Sequence, residues 1–256
     1  MKTALHPYYI KQEVTVQTYT AEFGPKLDSQ GRRRDRPSAR CPGCTEPMII
    51  VGGDRPLHDQ IFSHPRDVNP PPCPLRNRAD YKYEFLHDVP EDTNRGRALR
   101  ADFFAHWQAH YDKMRKLLNG LMDIGDFIAV IKEADRSRLW SRGNIEEWEV
   151  PYIFLVWKEW APVKTHRGEV LRSNWLRFWF DSRVRTLDDI WIRTQGDPRI
   201  IRATYNNPAR GGIPGLRHLV DTKTLYIEQT FLQAEHRPAA DYVVSRMHRD
   251  FPKEVP

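Results

Sequence analysis

The three cysteines of this 256-residue chain are the feature that most constrains its fold, because all of them lie between positions 41 and 73. Cys41 and Cys44 form a C-x-x-C pair, and this spacing lets both thiolates reach the same metal ion. Gly43 between them suits a tight turn whose backbone N–H groups point at the sulfurs. With Cys73 the chain offers three thiolate ligands, so a tetrahedral site needs one more.

A histidine would complete this set, and two histidines lie between the cysteine pair and Cys73. We favour His64 over His58 because His64 follows the apolar residues Ile61 and Phe62, which can anchor a turn in a small core. Four protein ligands leave no position for a substrate water, so the predicted role of Zn²⁺ is structural. The predicted ligands are Cys41, Cys44, His64 and Cys73.

Two other interpretations of the cysteines remain open. A thioredoxin-type redox pair expects a helix at the first cysteine, whereas residues 47–53 (PMIIVGG) are typical of a strand. Such a pair also leaves Cys73 unexplained. The second alternative is three unrelated buried cysteines, although the rest of the chain contains none. A disulfide-stapled secreted fold is disfavoured, because such folds carry many more cysteines.

The order of motifs resembles the N-terminal zinc-binding module of competence CoiA-like proteins. It comprises C-P-G-C at 41–44, an apolar strand, the segment Phe62-Ser63-His64 and the later Cys73. Ile61 stands where the family has a further histidine. The resemblance implies a bacterial or phage protein connected with DNA uptake, mobile elements or defence, in which a nuclease-like domain follows the zinc module.

Arginine outnumbers lysine by 29 to 11, and the formal net charge is +6. GC-rich codon usage would also raise the arginine content, so the total alone does not indicate a binding role. The distribution of the arginines along the chain is the more informative feature. Residues 26–40 hold six basic and two acidic residues. Either this segment is a solvated loop, or its arginines follow a phosphate backbone. The candidate phosphate-binding residues there are Arg32, Arg33, Arg34 and Arg36.

A second arginine-rich segment, residues 172–217, interleaves arginines with aromatic rings. On a strand, Trp175, Arg177 and Trp179 share one face, and the alternate residues 176, 178 and 180 form a core face. Rings beside guanidinium groups are the combination that single-stranded nucleic acid favours. The alternative is that both tryptophans are buried while Arg177 reaches out along the apolar surface.

A metal-dependent nuclease of the CoiA-like, restriction-enzyme-like type needs an acid and an E-x-K or D-x-K triplet on adjacent strands. The chain has no E-x-K and two D-x-K triplets, at 80–82 and at 221–223. Asp221 and Lys223 precede a plausible strand, so they are the candidate catalytic residues, with Mg²⁺ as the ion and Asp189 or Asp197 as the second acid. P-loop, dinucleotide-binding and nucleophile-elbow motifs are absent from the sequence.

The predicted class is α+β. Residues 1–78 are expected to comprise an N-terminal strand, the basic segment and a small zinc-ribbon-like module, and residues 79–256 a mixed domain with a mostly antiparallel sheet. A helix is expected over 99–122, with an apolar stripe that includes His110. His106 and His110 could share a second metal there, or His110 could be a core histidine. A closing helix is expected over 238–250, and a helical turn over 186–193. Strands are expected from Val14 to Thr20 and at 126–131, 150–157, 174–180, 199–205 and 223–231.

The longest purely apolar run has six residues, far below the roughly 20 that span a bilayer. We expect a cytoplasmic protein without a membrane partner. The leading hypothesis is a zinc-stabilised DNA-handling protein that binds nucleic acid through Arg-rich surfaces. The alternatives are a divergent CoiA-like nuclease using Asp221 and Lys223, and a protein-interaction adaptor or inhibitor with a structural zinc.

Overall fold

The computed structural model describes residues 1–9, 12–65, 73–75, 90–143, 145–164, 168–180, 199–209 and 211–255. Contacts between residues divide the chain into two compact units, Met1–Asn77 and Arg78–Pro256. All strand pairings in the described residues are antiparallel. The predicted α+β class is confirmed. In the part of the chain described, no helix combines the length and apolar character needed to cross a bilayer.

The N-terminal unit is a five-stranded sheet with one helix. The strand order in space is β2-β1-β3-β4-β5. A short turn joins β3 to β4, and a 3₁₀ turn over Leu57–Asp59 joins β4 to β5, so the second half of the sheet is a meander. The elements are β1 Thr3–Leu5, β2 Glu13–Thr15, α1 Val16–Phe23, β3 Ala39–Arg40, β4 Pro47–Val51 and β5 Ile61–Ser63.

The predicted strand from Val14 to Thr20 is wrong beyond Thr15, where α1 begins. Thr15 is the N-cap, and its Oγ1 accepts a hydrogen bond from the Thr18 N–H at 3.1 Å. Thr18 Oγ1 in turn accepts from the Thr15 N–H at 2.9 Å, which completes a capping box. Val16 and Tyr19 are buried at helical spacing, and this face outweighs the period-two pattern of the sequence.

The C-terminal unit contains five of the six described α-helices. The helix predicted over 99–122 is present but is divided at His106, which ends α2 and precedes α3. The predicted strands at 126–131 and 150–157 are wrong, because they form α4 and α5. The helices are α2 Thr93–Ala105, α3 Trp107–Leu117, α4 Ile124–Arg136, α5 Val150–Trp157 and α6 Asp241–Asp250.

The two wrong strand predictions have different causes. In α4 the buried residues recur every three or four positions, and Asp123 caps the helix by accepting from the Gly125 N–H at 2.7 Å. A six-residue window is too short to show that period. In α5 every residue from Val150 to Val156 is buried, so no polar face marks the helix in the sequence. Pro151 lies in its first turn, where proline is tolerated.

A three-stranded sheet of order β10-β9-β8 packs against α5. The predictions at 174–180 and 199–205 are confirmed by β8 and β9, whereas the strand predicted at 223–231 begins four residues earlier and ends at Tyr226. The closing helix begins at Asp241, after Pro238. The turn predicted at 186–193 lies outside the described residues. The strands are β6 Val163–Lys164, β7 Val170–Arg172, β8 Trp175–Phe180, β9 Arg199–Tyr205 and β10 Leu219–Tyr226.

Candidate metal centre and cationic cavity

The fold of the N-terminal unit brings the four predicted metal ligands together. Cys41 and Cys44 lie in the turn between β3 and β4, and His64 directly follows β5. Cys73 reaches the same place from the segment 73–75. The three Sγ atoms and one ring nitrogen all lie within 4.8 Å of one another. No other group of three or more metal-ligating side chains occurs in the described residues.

Two distances within this cluster are close to those of tetrahedral coordination of a metal ion. The Sγ atoms of Cys41 and Cys73 are 3.7 Å apart, and Cys44 Sγ lies 3.8 Å from His64 Nε2. With metal–sulfur bonds of about 2.3 Å and metal–nitrogen bonds of about 2.0 Å, the edges of a tetrahedron are about 3.8 Å and about 3.5 Å. A disulfide would need about 2.05 Å between the sulfurs. The cluster is therefore compatible with a structural metal ion, and its donors are those that zinc prefers.

The turn that holds the first two cysteines is closed by backbone hydrogen bonds. The Cys41 N–H donates to the Glu46 carbonyl at 2.9 Å, and the Thr45 N–H donates to the Cys41 carbonyl at 2.8 Å. The Gly43 N–H donates to Cys41 Sγ at 3.4 Å, as the sequence predicted. A Cβ at Gly43 would lie 3.3 Å from Cys73 Sγ, so glycine permits this close approach.

Burial makes the thiolate form of these cysteines unfavourable unless a cation is bound beside them. Cys41 and Cys73 are buried, and His64 is 8% exposed. Hydrogen bonds with Cys44 and Cys73, together with burial, raise the pKa of Cys41 well above its ordinary value. A divalent cation has the opposite effect, because it binds the thiolate form and neutralises its charge. The chemistry of the donor set thus agrees with its geometry.

A cavity of about 430 Å³ lies beside the five-stranded sheet of the N-terminal unit, and its lining includes several cationic side chains. Lys26, Arg33 and Arg34 are exposed, and Arg36 is half-buried. Its floor comes from α1, β4 and β5, and its exposed lining is more polar than apolar. We call this space the Arg cavity, and its lining residues are Tyr19, Lys26, Arg33, Arg34, Asp35, Arg36, Ser38, Met48, Ile49, Ile50 and Phe62.

Arg36 is fixed within the Arg cavity, whereas the other cations are not. Its Nη1 donates to the Gly24 carbonyl at 2.8 Å, and its guanidinium carbon lies 5.3 Å from the centroid of the Tyr19 ring. Tyr19 is held in turn by donating its hydroxyl to the Pro37 carbonyl at 2.5 Å. Among the described residues, no carboxylate pairs with Lys26, Arg33 or Arg34.

Of the four arginines predicted in this segment, three line the Arg cavity and Arg32 does not. The Arg32 Nε donates to Asp28 Oδ2 at 3.2 Å, within a turn in which Asp28 also accepts two backbone N–H groups. These three hydrogen bonds hold the pKa of Asp28 below its ordinary value. The place of Tyr19 in this cavity has no signal in the sequence, because the alternating pattern of residues 14–20 favours a strand rather than the helix α1.

The second predicted nucleic-acid face, on β8, is largely internal. Trp179 is fully buried and Arg177 is 1% exposed. The Arg177 Nε donates to Glu159 Oε1 at 2.6 Å, and its guanidinium carbon lies 4.9 Å from the Tyr205 ring centroid. Trp175 is half-buried. Trp175, Arg177 and Trp179 share one face of β8, as predicted. Arg177 and Trp179 are buried in the core, however, so the prediction of an exposed stacking platform is wrong for these two residues.

The predicted catalytic residues Asp221 and Lys223 are exposed on β10, at the edge of its sheet. Asp221 lies opposite Thr204, and Lys223 lies opposite Arg202. Asp221 joins no group of three ligand side chains in the described residues. The acids proposed to complete a Mg²⁺ site, at positions 189 and 197, lie outside the described residues, as does the triplet 80–82.

His106 and His110 share a carboxylate. Glu147 Oε1 lies 2.8 Å from His106 Nδ1 and 3.0 Å from His110 Nε2. Burial would raise the pKa of Glu147, but its contacts with the two histidines hold that pKa below the ordinary value. His110 is fully buried and stacks on the Phe103 ring at 4.5 Å, as expected of a core histidine. The two histidines belong to no metal-ligating group in the described chain.

Comparisons of the chain with protein-family models, curated proteins and solved structures find no match. The resemblance to CoiA-like proteins therefore stays a prediction from the motif between residues 41 and 73.

Proposed function

We propose that this chain is a zinc-stabilised DNA-handling protein that binds nucleic acid through the Arg cavity. The observation that carries the proposal is a cavity whose rim offers three cations without a carboxylate partner in the described residues: Lys26, Arg33 and Arg34. An association with DNA uptake, mobile elements or defence, implied by the CoiA-like motif, is part of the same proposal.

The charge arrangement at the Arg cavity suits a phosphate backbone better than an internal role. Guanidinium groups bind phosphate oxygens through two parallel N–H donors. An arginine that stabilises a fold is normally paired and buried, as Arg177 is with Glu159. Arg33 and Arg34 are instead adjacent and exposed, and neither forms an ion pair with a carboxylate of the described residues. Binding a polyanion would neutralise them and release counterions.

The proposed zinc supports this surface without taking part in chemistry. Four protein ligands leave the ion no open position for a substrate. The sheet strands that carry the ligands also form the floor of the Arg cavity, through Met48 and Ile50 of β4 and Phe62 of β5. The ion thus fixes the strands on which the cationic segment packs.

Fluorescence anisotropy with labelled single- and double-stranded DNA, measured across salt concentrations, tests the proposal. We expect binding that weakens steeply with salt. The double variant Arg33→Ala/Arg34→Ala should reduce the slope of log K against log salt by about 1.4 for a single strand, about 0.7 per lost phosphate contact. The matched control is Arg97→Ala/Arg249→Ala, which removes two exposed arginines of the other unit and should leave affinity nearly unchanged.

The outcomes separate the three hypotheses. Absence of binding to any DNA at about 50 mM salt, where electrostatic binding is strong, would refute the proposal and favour the adaptor or inhibitor. Plasmid nicking with Mg²⁺ that disappears in Asp221→Ala would promote the divergent nuclease. Equal losses in the Arg33/Arg34 variant and its control would show that net charge matters and the Arg cavity does not.

A further inference from the structure

The exposed lining of the Arg cavity is mainly polar, but part of its wall is apolar, which phosphate binding does not require. Met48 and Phe62 are buried in its floor, whereas Ile49 is 41% exposed at its wall. A phosphate gains nothing from such surface, whereas a nucleobase buries apolar ring area there. The volume of about 430 Å³ lies within the range of small-ligand pockets, about 300 to 1,000 Å³. The lining therefore fits a base together with its phosphate.

Arg36 provides a planar surface inside this space. Its guanidinium carbon lies 5.3 Å from the centroid of Tyr19, and its bond to the Gly24 carbonyl restricts its rotation. Bases of single-stranded nucleic acid stack on arginine planes as well as on aromatic rings. A group held in place before binding loses little side-chain entropy on binding, which favours this position as a stacking platform.

Asp35 is the one carboxylate among the described residues that line the Arg cavity. A carboxylate accepts hydrogen bonds and repels phosphate, so its presence among four cations weakens any purely phosphate-binding role. It can instead accept from a base edge that carries two adjacent donors. The Watson–Crick edge of guanine carries such a pair, an imino N–H and an amino group. In a duplex that edge is already paired, so only an unpaired base can present it.

We infer that the Arg cavity receives one unpaired base, and that the protein prefers single strands containing guanine at that position. Lys26, Arg33 and Arg34 hold the flanking phosphates, Arg36 stacks on the base, and Asp35 accepts from its edge. This inference rests on the proposed nucleic-acid binding and adds to it the strandedness and the base preference.

The test is anisotropy with labelled oligothymidylate of about 12 nucleotides, within the range of about 4–16 nucleotides that single-strand-binding sites cover, and with the same strand carrying one central guanine. Because a bidentate base contact contributes about 1–3 kcal/mol, the guanine strand should bind about 5- to 150-fold more tightly. Asp35→Ala should abolish that preference without weakening binding to oligothymidylate. Glu13→Ala, an exposed acid of the same unit that does not line the Arg cavity, should keep the preference.

Each result bears on a distinct claim. Equal affinity of the unaltered protein for both strands, or a preference that persists in Asp35→Ala, would overturn the base pocket while leaving phosphate binding intact. Binding to a guanine-containing duplex as tight as to the single strand would overturn it as well. No binding to any strand would remove the proposed function together with the inference. Metal content and circular dichroism of Asp35→Ala show whether the variant is folded. The comparison of the two DNA strands on the unaltered protein tests the inference independently of that variant.

Discussion

The N-terminal unit buries few large side chains, whereas the C-terminal unit is built around aromatic rings. Among the largest fully buried side chains of the described residues, Phe62 alone belongs to the first unit. In the second, the Phe103 ring lies 5.1 Å from Trp140 and 5.7 Å from Phe154. A unit of under 80 residues with a small core commonly needs a metal or disulfides to fold. The contrast predicts that a metal ion bound by the Cys₃His cluster supplies part of the stability that the larger core supplies in the second unit.

Loss of a ligand should therefore have the largest effect in the molecule. We expect Cys73→Ser to reduce the metal content from about one ion per chain to none, as a structural zinc site contributes about 10–16 kcal/mol of apparent folding free energy. Residues 1–77 should then become sensitive to protease while fragments from the C-terminal unit persist. Metal analysis and limited proteolysis with mass spectrometry measure both effects.

His58→Asn is the matched control, because His58 lies between the cysteines but is exposed and outside the cluster. It should retain the full metal content and the protease resistance. Retention of one ion by Cys73→Ser, or loss of the ion in His58→Asn, would contradict the ligand set.

The arginines of the two units differ in burial, as their aromatic side chains do. In the Arg cavity they are exposed or half-buried, whereas Arg172, Arg177 and Arg202 are buried. We expect Arg177→Ala to destabilise the C-terminal unit by about 3–5 kcal/mol, because it leaves Glu159 charged and unpaired in the interior. Urea unfolding followed by tryptophan fluorescence measures this change.

Arg217→Ala is the control for that variant, since Arg217 is exposed in the same basic stretch of sequence. It should change the unfolding free energy by less than about 0.5 kcal/mol. DNA affinity should be unaltered in both variants while they remain folded. Weakened DNA binding by folded Arg177→Ala would restore β8 as a nucleic-acid surface.

These arginines show where sequence could and could not predict the molecule. The Cys₃His cluster was predictable because a C-x-x-C pair follows a local spacing rule and the chain has one further cysteine and only two histidines between them. The strands β8 and β9 were predictable because β-branched and aromatic residues favour strands. Whether an arginine is buried depends on a distant partner. The contact of Arg177 with Glu159 and the bond from Arg202 Nη1 to the Leu117 carbonyl at 3.1 Å have no signature in the sequence. The Arg cavity, assembled from three elements and a loop, was likewise beyond the sequence.

The aromatic core of the C-terminal unit also encloses an ionisable group. Burial lowers the pKa of His110 below its ordinary value of 6.5, although Glu147 acts in the opposite direction. A histidine whose folded pKa is lowered binds its proton more readily in the unfolded chain. Its contribution to stability is therefore complete above about pH 6.5 and is lost as the pH falls from there toward its folded pKa.

We expect the unfolding free energy of this unit to fall on acidification from about pH 7.5 to about pH 5.5, with a slope from this residue of at most about 1.4 kcal/mol per pH unit. His110→Gln should flatten the dependence, and His248→Gln, which alters an exposed histidine, should not. The lowered pKa of Glu147 acts in the same direction but only below its ordinary value of 4.5, outside this range. An unchanged slope in His110→Gln would assign the dependence elsewhere.

The smallest expected effect tests whether the metal alone organises the N-terminal unit. The capping box of Thr15 and Thr18 starts α1, and α1 carries Tyr19, on which Arg36 lies. Thr15→Ala should cost about 1 kcal/mol, a typical value for a lost N-cap, and Gln17→Ala on the exposed side of the same helix should be nearly neutral. If a metal ion in the Cys₃His cluster is the main source of stability of the N-terminal unit, Thr15→Ala should leave the metal content unchanged. It should nevertheless weaken DNA binding, because Tyr19, on which Arg36 lies, is then held less firmly. Equal DNA affinity in Thr15→Ala and Gln17→Ala, measured by anisotropy, would show that the Arg cavity does not depend on how α1 is held.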